Sequence, residues 1–487
     1  MIKKIISLHH WLGTFFSMLF LIWFLSGFVM MYHTFPFLSK NQQTAMLPLG
    51  QVDNILNPKE VFKVNAKESI YKLTLNFQLE KPVLHLITTS GKLLSKYADT
   101  GIPVDVSKEK ASAIAKENLK INTDAEITIL TELDQWIPRT RYLKHMPIYK
   151  VSFDDSNKTY AYISSITGKV LATNTVSERF WSWLGAIPHW IYFKDIRIHN
   201  TLWFQLIVWL SSFGFLMVVT GIITGIIRYK KKPKAKFKRF KDKWYNYHYY
   251  FGLFFGTFVC TWIFSGWMSM TPFSWTPSTS LNEKELQLWQ KGSFLLSDIS
   301  SETWDNFLDI TKGASLQESN FTVFNKDIYT TVYQANSCSQ LYNLTKPNKP
   351  PKVKDYTTII ESFNLNNSIE SIELLNKYDN YYYSRHNTKE LPVIKVNTSN
   401  KTSYYISPKT TTILYKCATR NRIQRWIYHG LHSLDFSFLA WRRPLWDIIL
   451  FILLIGGTIV SFTGVILGYR FIRRKQNKIK HRKKKAE

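Results

Sequence analysis

Apolar and polar positions along this chain segregate on two length scales. Four stretches, residues 12–32, 202–227, 251–271 and 448–469, contain no Asp, Glu, Lys or Arg. Each is long enough to cross a hydrocarbon layer of about 30 Å as a helix, so four membrane helices are predicted. Between them lie two long polar regions, 40–178 and 283–425, with a shorter period. In the first, Ser107 is an N-cap ahead of an apolar helical stripe, Ala111, Ile114, Ala115 and Leu119. Strand-like runs follow at 148–153 and 160–164 around a turn at 154–157, and the Thr167, Gly168, Lys169 turn precedes Val170 and Leu171. The second region offers a weaker helix at 357–363, then strands at 393–396, 404–407 and 413–415, with a turn at 397–401. Each region therefore reads as a small helix-plus-antiparallel-sheet module.

The apolar segments repeat. His9, Gly13, Trp23, Ser26 and Gly27 recur as His248, Gly252, Trp262, Ser265 and Gly266 at one offset of 239 residues. His189, Phe193, Thr220, Gly221 and Gly225 recur as His432, Phe436, Thr463, Gly464 and Gly468 at an offset of 243. Ten coincidences at two nearly equal offsets indicate an internal duplication.

A formal charge of +29 suggests nucleic acid until its placement is considered. Lys3 and Lys4, the linker 228–243 with ten Lys or Arg, and the tail 470–487 with ten more carry most of it. These are the segments that a four-helix topology with both termini inside leaves in the cytosol, so the bias is the positive-inside one. It removes the argument for nucleic acid and points to anionic lipid headgroups. The first apolar run is too long for a signal peptide and ends in Met30, Met31, Tyr32 and His33 rather than at a small-residue cleavage site; it reads as a retained anchor. Cys260 falls in the third apolar run, while Cys338 and Cys417 fall in the second polar region, where pairing in an oxidising compartment stays open.

An ionisable side chain at membrane depth is costly unless it meets a partner or cofactor, so the duplicated histidines are the candidate site. His9 and His248 sit at the cytosolic ends of two helices, each with a glycine one turn later that leaves room for a flat macrocycle. Two neutral imidazoles from facing helices are the axial ligands that a low-spin b-type haem requires. His189 and His432 occupy corresponding positions at the opposite face and are candidates for a second haem b, with His429 and His33 as rivals there. From His9 to His33 a helix rises about 36 Å, which puts the two sites at opposite membrane faces. The alternative for any one of these histidines is an interfacial residue bonded to carbonyls or headgroups. No Rossmann fingerprint, Walker motif or zincin spacing occurs, so electrons must come from outside the chain.

Several short motifs resemble those of the PepSY-associated transmembrane proteins, a family of iron-regulated bacterial inner-membrane proteins that includes ferric-siderophore reductases. They are Leu8 to Gly13, Thr261 to Gly266 running into Ser269, Met270, Thr271, Pro272 and Phe273, and the flanks 187–193 and 429–436. The two polar regions resemble PepSY domains, most clearly at 147–151 and 160–171. The second departs from the pattern where Pro408, Lys409, Thr410 replaces the Thr, Gly turn.

The expected fold is thus a duplicated, four-helix membrane α-helical protein with two periplasmic α+β PepSY-like modules. Its expected divisions are a helix in 1–35, a module in 36–178, an interfacial segment and helix in 179–229 and a basic linker in 230–245. A helix in 246–272, a module in 273–425, an interfacial segment and helix in 426–470 and a basic tail in 471–487 complete it. The resemblance implies an inner-membrane oxidoreductase that takes electrons from a quinol or a cytosolic flavin reductase and reduces a periplasmic ferric siderophore or other ferric chelate. The strip Tyr381 to Tyr383 with Arg385 and His386 is either a contact surface for that chelate or a solvated loop. The competing expectations are a non-enzymatic anchor whose modules restrain a peptidase or other partner, and a metal-permease accessory. The first leaves the duplicated histidines unexplained, and the second predicts metal binding with no haem spectrum.

Overall fold

The structure, a computed structural model, describes residues 2–63, 68–231, 240–335, 339–347, 349–364, 367–384 and 388–483. Its four long helices lie where the charge-free runs predict them: the first span is Ile2–Met30, the second Asn200–Lys231, the third Lys243–Ser269 and the fourth Leu445–Lys483. All four are long and apolar enough to cross a membrane. Asp242 starts the third span by accepting a hydrogen bond from the Trp244 N–H (2.8 Å), and the same side chain pairs with Arg470 of the fourth.

The chain divides into two compact units. One holds Met1–Phe35, Ser177–Thr276 and Ile423–Glu487, the other Pro36–Val176 and Pro277–Arg422. In the first unit each span packs on two neighbours: the first and third spans both lie against the second and fourth. Phe20, Phe24, Trp262, Ile263, Trp446 and Leu450 form the core of this bundle. Small residues let the helices close on these rings, since a Cβ at Gly457 would come within 2.4 Å of the Phe24 ring.

The second unit contains the two expected modules. The first pairs Ala125–Leu130, Ile148–Phe153, Tyr160–Ser164 and Val170–Asn174 in order, and the helix Lys108–Leu119 packs on this sheet through Ala111, Ile114 and Ala115. Ser107 caps that helix as expected, accepting from the Lys110 N–H. The second pairs Ile369–Leu375, Val393–Thr398, Ser403–Ile406 and Ile413–Cys417, with the helix Val353–Glu361 packed on it. The duplication extends into side-chain detail. Tyr162 donates to Asp134 and Tyr405 donates to Asp379, each at 2.8 Å.

The second unit also holds a six-stranded sheet that the sequence reading left out. Its order is Ser339–Asn343, Asp327–Tyr333, Glu318–Phe324, Ile70–Gln78, Lys81–Thr88 and Leu93–Tyr97, so each polar region supplies three strands. The join is antiparallel, with Leu73 opposite Phe321 and Asn76 opposite Glu318. Because strand side chains alternate, Leu73, Leu75, Phe77 and Phe321 share an apolar face that packs on Trp304 and Phe307. The opposite face carries Thr74, Asn76, His85, Glu318 and Asn320, all buried.

Two further expectations meet the described residues only in part. Cys417 is buried, but Cys338 lies outside the described residues. In the aromatic strip, Tyr382 is buried and stacks on Tyr405 at 5.0 Å, whereas Arg385 and His386 lie outside the described residues.

Candidate histidine pairs in the helix bundle

The bundle brings the duplicated histidines together two by two. The ring centres of His9 and His248 are 6.2 Å apart, with ring planes at 38°. Those of His189 and His432 are also 6.2 Å apart, with planes at 78°. His9 and His248 come from the first and third spans; His189 and His432 come from the segments leading into the second and fourth. Of the rivals, His33 stacks flat on Trp181 at 4.6 Å, and His429 lies edge-on to Tyr428 at 4.8 Å.

Each pair is anchored by a hydrogen-bond set that repeats at the duplication offsets. The His9 Nδ1–H donates to the Met217 carbonyl (3.1 Å), and the His248 Nδ1–H donates to the Val460 carbonyl (3.1 Å). Met217 and Val460 are themselves duplicates; the Thr220 hydroxyl donates to the Met217 carbonyl (2.8 Å), while the Thr463 hydroxyl lies between the Ile459 (2.7 Å) and Val460 (2.9 Å) carbonyls and 3.0 Å from His248 Nδ1. At the other pair, the Ser26 hydroxyl donates to the Trp23 carbonyl and the Ser265 hydroxyl to the Trp262 carbonyl. Each serine proton is thereby used, so His189 Nδ1–H donates to Ser26 Oγ (3.0 Å) and His432 Nδ1–H to Ser265 Oγ (3.1 Å). All four rings are assigned the tautomer with the proton on Nδ1 and the lone pair on Nε2. Among the described residues no hydrogen bond engages any of those four Nε2 atoms.

That arrangement fits an iron macrocycle better than a bare ion. Among the described residues no group of three or more His, Cys, Asp or Glu stands ready to hold a metal. Two neutral imidazoles suffice only when the metal arrives with its equatorial ligands already in place, as haem iron does. At 6.2 Å the ring centres of each pair are far enough apart for two imidazoles to share one metal through bonds of about 2 Å. A Cβ at Gly13 or at Gly252, one turn beyond His9 and His248, would meet no atom within 4 Å, so open space adjoins both helices there. Donation of the second ring nitrogen to a carbonyl or hydroxyl also fixes ring orientation and raises ligand basicity.

The histidines stand out in the sequence by repetition; the groups that hold them do so only in part. Ser26, Ser265, Thr220 and Thr463 were visible as repeated positions, and their spacing to the histidines was the available signal. Met217 and Val460 act through main-chain oxygens and carried none.

No curated protein matches the chain. A family model described as PepSY-associated TM region matches residues 6–319, which takes in the first three spans and the strands between them. With four apolar helices and paired, repeat-related histidines, the chain belongs to the PepSY-associated transmembrane family.

Proposed function

We propose that this protein is a haem oxidoreductase of the bacterial inner membrane that passes electrons outward to a ferric siderophore or other ferric chelate. The observation that carries the reading is the pair of matched imidazole sites. Both have ring centres 6.2 Å apart, and every Nδ1 is committed to the protein. His9 and His248 would hold one haem b and His189 and His432 a second. Bound haem supplies a one-electron carrier whose potential is set by its axial ligands and their surroundings. The chain's own part is positional. Met217 and Val460 fix the orientation of two imidazoles, Ser26 and Ser265 do so for the others, and Phe20, Phe24 and Trp262 fill the bundle core.

Ser26 is 17 residues beyond His9 on the same helix, so the two pairs are separated by about 25 Å of helix rise. Two carriers at that separation span most of a hydrocarbon core, one at the His9 and His248 end and one at the external end. A quinol or a cytosolic flavin reductase would load the inner site. The ferric chelate would be reduced outside, where the PepSY-like modules lie, and Fe(II) would leave because it binds hard oxygen chelators less tightly than Fe(III). With this topology the basic linker and tail face the cytosol and anionic headgroups.

The test is the visible spectrum of detergent-purified protein, oxidised and dithionite-reduced, with haem quantified per chain. The expected result is about two haems per chain, bleached by ferric chelate, and loss of one in His248→Ala together with loss of reduction. Full haem content and activity in His248→Ala would overturn the ligand assignment. A colourless protein from haem-replete cells would leave the modules as the functional part and the helices as their anchor.

A further inference from the structure

The polar face of the six-stranded sheet gathers more positive charge than it neutralises. Across its central strands Thr74 lies opposite both His85 and Asn320, and Asn76 lies opposite Glu318. All five are buried. The His85 Nε2–H donates to Asn76 Oδ1 (2.9 Å), which turns the Asn76 amide so that its NH2 group faces away from the imidazole. That Nδ2 and the Asn320 Oδ1 have no partner among the described residues.

Cations converge on this floor. Lys72 sits partly buried on the same strand, and Lys169 comes from the turn that docks on the sheet through Gln78, whose amide donates to the Thr167 carbonyl. The Lys169 ammonium is 3.8 Å from Glu318. Lys40 and Lys144 are exposed at the rim and add to the field felt by Lys72. The second module contributes Glu390, whose carboxylate is bound to the Ser407 hydroxyl. Burial, reinforced by Lys169, pushes the Lys72 amine down to about 8. Burial alone would raise the Glu318 carboxyl, but Lys169 and Lys72 hold it below its ordinary range.

Two part-buried ammonium groups, Lys72 and Lys169, share one buried carboxylate, and the exposed Lys40 and Lys144 add to the same field, so positive charge on this face is in excess. Such a surface is complementary to a ligand that brings at least two negative charges. We propose that this face binds a multiply charged oxyanion, a polycarboxylate or phosphate, gripped by Lys72 and Lys169 with the Asn76 amide as a neutral donor. Lys40 and Lys144 draw the anion in from solvent. The site does not depend on the membrane histidines.

The test is calorimetric titration of the full-length protein in detergent with citrate and, separately, with inorganic phosphate. Saturable binding of at least one is expected, and which one binds identifies the source of the oxyanion. Lys72→Gln and Lys169→Gln should each weaken it by about tenfold, the loss of one charge-assisted hydrogen bond. Glu318→Gln, which removes the opposing charge at constant shape, should tighten it, a gain that a damaged fold cannot produce. Absence of saturable binding by both anions, unchanged affinity in the two lysine variants, or no tightening in Glu318→Gln would each overturn the proposal.

Discussion

At the scale of single residues, the two halves of the bundle position equivalent rings with unequal tolerance. A Cβ added at Gly221 would stand 2.7 Å from His9 Cε1, whereas one at Gly464 would stand 3.6 Å from His248 Cε1 and 3.1 Å from Ser17 Cβ. Gly221→Ala must therefore displace the His9 ring, while Gly464→Ala needs only a small adjustment. Haem per chain should fall by about one in Gly221→Ala and stay near the parent value in Gly464→Ala; equal loss in both would show that ring placement is not what the glycines secure. A different residue-scale effect belongs to His145, outside the bundle. Ser164 Oγ accepts from the Ile166 and Thr167 N–H groups, so its own proton goes to His145 Nδ1 (3.1 Å), which must be unprotonated. Burial, with Lys144 and Lys169 adding to it, pushes His145 down to about 4. The unfolded chain takes up this proton near 6.5 and the folded one only near 4, so stability is complete above about pH 6.5 and falls as pH drops toward 4. The loss is at most about 3 kcal/mol. Denaturant unfolding at pH 7.5 and pH 4.5 measures it, and His145→Asn should reduce the pH dependence, leaving the part due to the still more deeply buried His85.

At the scale of elements, the two module turns show how one backbone shape is reached by different sequences. Gly168 and Thr411 both take a left-handed conformation, at φ +65° and +54°. The Gly168 N–H donates to the Ser164 carbonyl and the Thr411 N–H to the Ser407 carbonyl, at 2.9 and 3.0 Å. Pro408, Lys409, Thr410 thus departs from the Thr, Gly pattern in sequence but not in form. A Cβ at Gly168 would stand 2.2 Å from Gln78 Oε1. Gly168→Ala should therefore cost about 2 kcal/mol, from the positive φ and from moving Gln78 off the Thr167 carbonyl. Thr411→Gly should stay within about 1 kcal/mol of the parent, since relief of the positive φ offsets the lost threonine contacts. Thermal unfolding of both variants decides it, and a Thr411→Gly loss as large as that of Gly168→Ala would refute the equivalence. The spans, the module strands at 148–153 and 160–164 and the four paired histidines were legible because charge-free length, period-two runs and exact repetition are local signals. The six-stranded sheet was not. Its strand from Leu73 to Gln78 alternates apolar and polar residues, but the contact that defines the sheet joins Leu73 to Phe321, far apart in the chain, and no local signal specifies that pairing.

At the scale of the whole molecule, both histidine pairs and the six-stranded sheet are shared between the two halves of the chain. Each histidine pair takes one imidazole from residues before the basic linker and one from residues after it. The six-stranded sheet takes three strands from each side. Within the bundle, the first span lies against the fourth as well as the second, so its packing also crosses the linker. A half expressed alone would keep single imidazoles, expose the edge of Ile70–Gln78 or of Glu318–Phe324, and leave the apolar face around Leu73 and Phe321 uncovered on one side. Neither half, 1–231 or 240–487, should therefore retain haem or purify as a monodisperse species. Both pairs and all six strands of the sheet lie within 1–231 or 240–487, so co-expression of the two halves should restore a complex with the parent's haem content. Affinity capture through a tag on one half, followed by haem quantification, tests both statements. Haem at one per half, each purified alone, would mean that each repeat builds a site of its own, and the cross-linker pairing of His9 with His248 would have to be abandoned.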